Sequence, residues 1–139
     1  MESTTGNTIP PLPDASAVMK EATLLKNYYA LYSHYFFEAP LAANFPESIV
    51  KQFPNPSYKV QLKNAIASQT VVVNNLISIQ QDYISDYFTL YNYFAFGGTL
   101  PATFPESIFQ QFPNKSFQQQ LKTAIIELQG NIAREKAEM

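Results

Sequence analysis

The chain has 139 residues, enough for one domain or two closely fused halves, and its 46% hydrophobic content can fill a core of ordinary size. It contains no cysteine, which excludes disulfides, thiolate nucleophiles and cysteine-based metal centres, and with a net charge of −2 its nine basic residues are too scattered to neutralise a row of phosphates, which excludes nucleic acid as a main partner. Charged residues make up only 14% of the chain against the usual figure of about 25%, while aromatics, 9 Tyr and 11 Phe with no Trp, also reach 14%, so the surface carries more uncharged area than most.

Residues 1–14 are polar and then proline-rich, with the run Ile9-Pro10-Pro11-Leu12-Pro13. Lacking a basic start and an apolar stretch, they do not read as a secretory signal peptide but as a flexible or extended arm. Such a run can also dock in an aromatic groove as polyproline II.

Apolar residues at Leu24, Leu25, Tyr28, Leu31, Tyr32, Tyr35 and Phe36 have helical spacing and predict a first helix over residues 15–37, closed by Pro40. A short helix follows, with Phe45, Ile49 and Phe53 every four residues forming one apolar stripe, a packed plug. Asn44-Phe-Pro-Glu47 fits a capping box, in which the Asn side chain accepts a backbone N–H and the Glu reaches back. Pro54 ends that helix, and Asn55 with Pro56 reads as cap and first position of the next.

From Ser57 to Phe96 there is neither Gly nor Pro. The stripe Tyr58, Leu62, Ala65, Val72, Leu76, Ile79, Tyr83, Leu90 keeps its phase apart from polar Gln69 and Asp86, which predicts one helix of about 60 Å at 1.5 Å per residue. Thr70-Val-Val-Val-Asn-Asn75, rich in poor helix formers, is the place for a break near Asn74. A bend there folds the halves into a four-helix bundle; a straight helix leaves two elongated hairpins whose wide apolar faces call for other chains.

The second half repeats the first. Shifted by 59 residues, Leu24–Asn74 aligns with Tyr83–Ala133 without a gap, and 21 of the 51 pairs are identical. The densest block is Phe45-Pro-Glu-Ser-Ile-Val-Lys-Gln-Phe-Pro-Asn55 against Phe104-Pro-Glu-Ser-Ile-Phe-Gln-Gln-Phe-Pro-Asn114. Thr103-Phe-Pro-Glu106 is the matching capping box, Gly97-Gly98 and Pro101 close the second aromatic helix, and Asn114 matches Asn55. The fold expected is therefore all-α, a tandem duplication of a helical hairpin, with units over residues 15–74 and 75–139 in one structural domain.

Catalytic chemistry finds little support. His34 and Glu38 lie one helical turn apart and could supply two metal ligands, but their counterparts are Tyr93 and Gly97, and there is no second histidine. Glu47 and Glu106 recur at equivalent positions and invite pairing as general acid and base, a role the capping box makes unnecessary. No phosphate loop, nucleophile elbow or zincin motif is present. The expectation is a non-enzyme without metal or cofactor.

The aromatic stretches Tyr28–Phe37 and Tyr87–Phe96 carry rings on more than one side of a helix, where a surface helix needs one apolar stripe. No charged residue occurs between Asn64 and Gln81, or between Tyr87 and Pro105, yet polar residues interrupt both runs, so neither is a membrane span. Uncharged aromatic helix surface has the composition of a protein interface core. Tyr28, Tyr32, Tyr35 and Phe36 in the first copy, with Tyr87, Tyr91 and Phe94 in the second, are the candidate assembly contacts. The reading is a structural, self-assembling protein, partnered by itself or another protein in an oligomer, filament or shell, as in a virion coat or extracellular appendage; a cytoplasmic setting is equally open. The alternative is a monomeric four-helix module whose aromatic groove holds a partner helix or an apolar ligand. Membrane activity is the weaker third, since the helices lack a basic face.

Overall fold

A computed structural model describes residues 9–139; the part of the arm over residues 1–8 lies outside the described residues. The described chain is all-α, in the order α1 (Ala15–Phe37), α2 (Glu47–Gln52), α3 (Lys59–Phe96), α4 (Glu106–Gln111) and α5 (Gln118–Glu138), with single 3-10 turns at Pro56–Tyr58 and Lys115–Phe117 leading into α3 and α5. The first helix spans the residues its periodicity predicts. Helix α3 runs for 38 residues with no break at Asn74. Val73 is fully buried and Thr70 gives its hydroxyl to the Ile66 carbonyl at 2.7 Å, so burial outweighs propensity penalties of a few tenths of a kcal/mol each. Of the expected stripe, Leu62, Tyr83 and Leu90 are buried; between them the phase slips by one position, with Val73 and Ile77 inside while Val72 is exposed, and Tyr58 at the start is exposed as well.

The chain divides into two compact units. One comprises residues 14–77 with 134–139, and the other residues 78–133 with the arm residues 9–13, so each takes its closing segment from the far end of the chain. In the first, Leu31, Ile49, Phe53 and Leu62 form a core cluster covered by Leu24, Tyr28, Tyr32, Tyr35, Phe45 and Ile66. Tyr28 meets Phe53 edge-on, with centroids 5.9 Å apart, and the Tyr35 hydroxyl donates to the Phe53 carbonyl. Gln69, buried on the core side of α3, gives its amide to the Glu21 backbone and carboxylate at 2.9 and 2.7 Å. The end of α5 closes this unit, where Glu138 accepts from Thr23 at 3.1 Å and lies 3.7 Å from Lys26.

The second unit buries the equivalents Leu90, Ile108, Phe112 and Leu121, and repeats the edge-on pair as Tyr87 and Phe112 at 5.7 Å. The short helices are thus plugs in both copies. Asn55 and Asn114 cap as the sequence predicts, each side-chain oxygen accepting from the backbone two residues on, at 2.9 Å from Ser57 and 3.0 Å from Ser116.

The capping boxes are corrected. Neither Asn44 nor Thr103 caps, since α2 and α4 start at Glu47 and Glu106 behind Pro46 and Pro105, with no side-chain cap bond. A residue before proline is pushed out of the helical region, so Phe45 and Phe104 cannot be first-turn residues. Asn44 and Thr103 lie instead in tight turns closed by Phe45 N–H to Ala42 and Phe104 N–H to Pro101, both at 3.0 Å. Glu47 and Glu106 become first-turn acids, favourably placed at the helix dipole.

Candidate functional site

The aromatic stretches divide into an inner and an outer set. Tyr87 and Phe94 of the expected contact residues are buried, 3% and 8% exposed, because α4 brings Phe112 against the face of α3 that carries Tyr87. They are packing residues of the core, enclosed by other segments of the chain. Tyr28, Tyr32, Tyr35, Phe36 and Tyr91 are half-buried. Tyr32 meets Phe36 in a tilted contact with centroids 4.6 Å apart, and the Lys59 ammonium stands 4.5 Å from the Phe36 ring centre, a cation–π contact that partly covers it. Burial raises the Tyr35 hydroxyl above its ordinary pKa, and does the same for Tyr87, where Tyr83 adds to the effect.

The outer set was not among the expected residues. Tyr29 is 48% exposed and its equivalent Phe88 is 43% exposed; Phe37 is 74% exposed and its equivalent Phe96 is 78% exposed. Each pair is related by the same 59-residue shift. That shift was the signal available in the sequence: Phe37 and Phe96 are identical across the copies, next to positions where Glu38 matches Gly97.

Glu38 and Gly97 are the two described residues with positive φ, 56° and 71°. Both end their helix through a left-handed residue, with Ala39 N–H reaching back to Ser33 at 3.3 Å and Gly98 N–H to Asn92 at 3.5 Å. The chain reverses there, and the last ring of each helix, Phe37 or Phe96, is left projecting at the turn. Uncharged residues follow in both copies, 39–46 and 97–105.

His34 is committed within its own turn. Its Nδ1–H donates to the Ala39 carbonyl at 2.8 Å, while Glu38 has become the left-handed cap. Among the described residues no group of three or more metal-ligating side chains converges. Glu47 lies 3.6 Å from Lys51 in an exposed pair, and Glu106 accepts from Gln110 at 3.4 Å, so both carboxylates serve their own short helices. No described helix is long and apolar enough to cross a membrane.

An open groove of about 450 Å³ in the second unit is lined by Tyr93, Phe94, Gly97, Phe109, Pro113 and Lys115. No protein-family model, curated protein or solved structure matches this chain.

Proposed function

We propose that this chain is a non-enzymatic structural protein that assembles with copies of itself through the outer aromatic side chains of its two repeats. The observation that carries the reading is the matched exposure of Tyr29 with Phe88 and of Phe37 with Phe96. Equivalent positions of a duplicated fold share their exposure, and what supports the reading is that both copies keep an aromatic ring, in place of a polar side chain, at these two exposed positions. Fully burying such a side chain is worth about 1.5–3 kcal/mol. The four rings are 43–78% exposed, so together they supply about 4–7 kcal/mol, at the low end of the roughly 4–15 kcal/mol that association costs in lost freedom. A single contact between two chains is then weak, and many repeated contacts are strong, which suits an oligomer, filament or shell of the kind found in coats and appendages.

The double variant Phe37→Ser/Phe96→Ser tests this in sedimentation velocity. Loss of the larger species with an unchanged circular dichroism spectrum supports the reading, and an unchanged size distribution counts against it. The second reading, a binding module, is favoured by the 450 Å³ groove, which has the volume of a small-ligand site. A chain that binds an apolar fluorescent probe there, and stays monomeric, would replace the first reading with the second.

A further inference from the structure

The arm residues Ile9–Pro13 belong to the unit made by residues 78–133, and the boundary with the other unit falls between Pro13 and Asp14. The Tyr83 hydroxyl donates to the Pro10 carbonyl at 2.7 Å. Leu12 lines, with Tyr87, Gln111, Ala124 and Leu128, a cavity of about 200 Å³. Tyr83 and Tyr87 meet edge-on at 5.9 Å, so the arm lies over an aromatic pair.

Pro10-Pro11-Leu12-Pro13 has the P-x-x-P spacing of a polyproline II ligand, with three residues to the turn. Asp14, where the arm ends, has φ −67° and ψ 133°, within the same region. Prolines offer carbonyl acceptors but no N–H, so a groove that reads them needs a donor beside an apolar ring, and Tyr83 supplies both. The grip is light: Pro10, Pro11 and Leu12 are exposed, Leu12 by 39%. Exchange of such an end segment between identical chains replaces each contact with the same contact.

We propose that the Tyr83–Tyr87 face is a polyproline II binding site whose ligand in trans is the Ile9–Pro13 arm of a second copy of the chain. The proposal rests on the self-assembly reading and names one element through which copies are joined.

The absence of cysteine makes the test direct. One full-length chain carries Leu12→Cys and another Ala124→Cys, while a third carries both. Under mild oxidation in dilute solution the double variant should close a disulfide on itself, and failure to close would overturn the docking. In a concentrated equimolar mixture of the single variants, the mixed disulfide should exceed its statistical share over the like pairs. Adding Tyr83→Phe to the Ala124→Cys chain should reduce it severalfold. A statistical yield from the mixture, with the double variant closing internally, would overturn exchange. Light scattering on the same samples separates the two readings: oligomers without mixed disulfides leave self-assembly standing on other surfaces, whereas monomers without them remove both.

Discussion

At the scale of single residues, the helix ends carry a difference between the copies that stability can read. Glu38 bears a side chain at φ 56° where Gly97 bears none at φ 71°, and the left-handed region costs a non-glycine residue about 1 kcal/mol. Replacing Glu38 with Gly should raise the unfolding free energy by about 1 kcal/mol in urea titration. Gly97→Ala should lower it by a similar amount. Nothing lies within 4 Å of a Cβ built there, so the penalty is one of backbone conformation and not of crowding.

Asp86 gives a second residue-scale prediction. Burial raises its carboxyl pKa above the ordinary value, and the nearby Asp82 charge adds to the rise. A carboxyl that holds its proton more tightly when folded contributes stability that is complete below the unfolded value, near 4, and is lost as pH rises through the folded one. Asp86→Asn should therefore flatten the stability profile in mildly acid solution and be the more stable form at pH 7. A less stable variant at pH 7 would contradict this account of the site. The tyrosines behave with the same sign at the other end of the scale. Burial is the first cause of the raised pKa of Tyr35, Tyr83 and Tyr87, so their contribution holds below pH about 10 and is lost above it.

Among the elements, the short helices and α3 make the sharpest claims. Phe104 is 7% exposed, so Phe104→Ala should cost about 3–5 kcal/mol, and Phe45→Ala, at a half-buried position, less. Equal melting temperatures for both variants and the parent would mean the plugs are not packed. The continuity of α3 is tested at Asn74, an exposed position within the run of poor helix formers. Asn74→Pro should cost about 3 kcal/mol or more in an unbroken helix, whereas a break there would tolerate it.

The same elements show which signals were readable. Helix α1, the Phe45-Ile49-Phe53 stripe and the Asn55 and Asn114 caps follow from periodicity and local hydrogen bonding, and these act over a few residues. The misplaced capping boxes had the right residue types but ignored the restriction that proline places on Phe45 and Phe104. The inward face of the aromatic helices was harder to read. Tyr87 and Phe88 are adjacent and similar, and only the arrival of Phe112 from α4 decides that Tyr87 is the one enclosed. Phase at Val72 and Val73 fails for the same reason, because neighbouring valines score alike until a packing partner selects one.

For the whole molecule, the exchange of end segments bears on how the units are closed. The first hairpin meets the end of α5 through polar contacts, Glu138 with Thr23 and Lys26. Glu138→Ala should be nearly silent if only the Lys26 pair matters, since exposed ion pairs contribute about 0–1 kcal/mol, and the Lys26 side chain is 59% exposed. Among the large apolar side chains left exposed, which include the unmatched aliphatics Val60, Val71 and Ile126, the rings Tyr29 with Phe88 and Phe37 with Phe96 occur at matched positions of the two copies. Self-association through those rings is the central claim, and multi-angle light scattering in line with size exclusion, across a wide range of protein concentration, tests it most directly. The account predicts a mass that climbs with concentration and falls back in Phe37→Ser/Phe96→Ser. A constant 15.7 kDa particle at every concentration would contradict it.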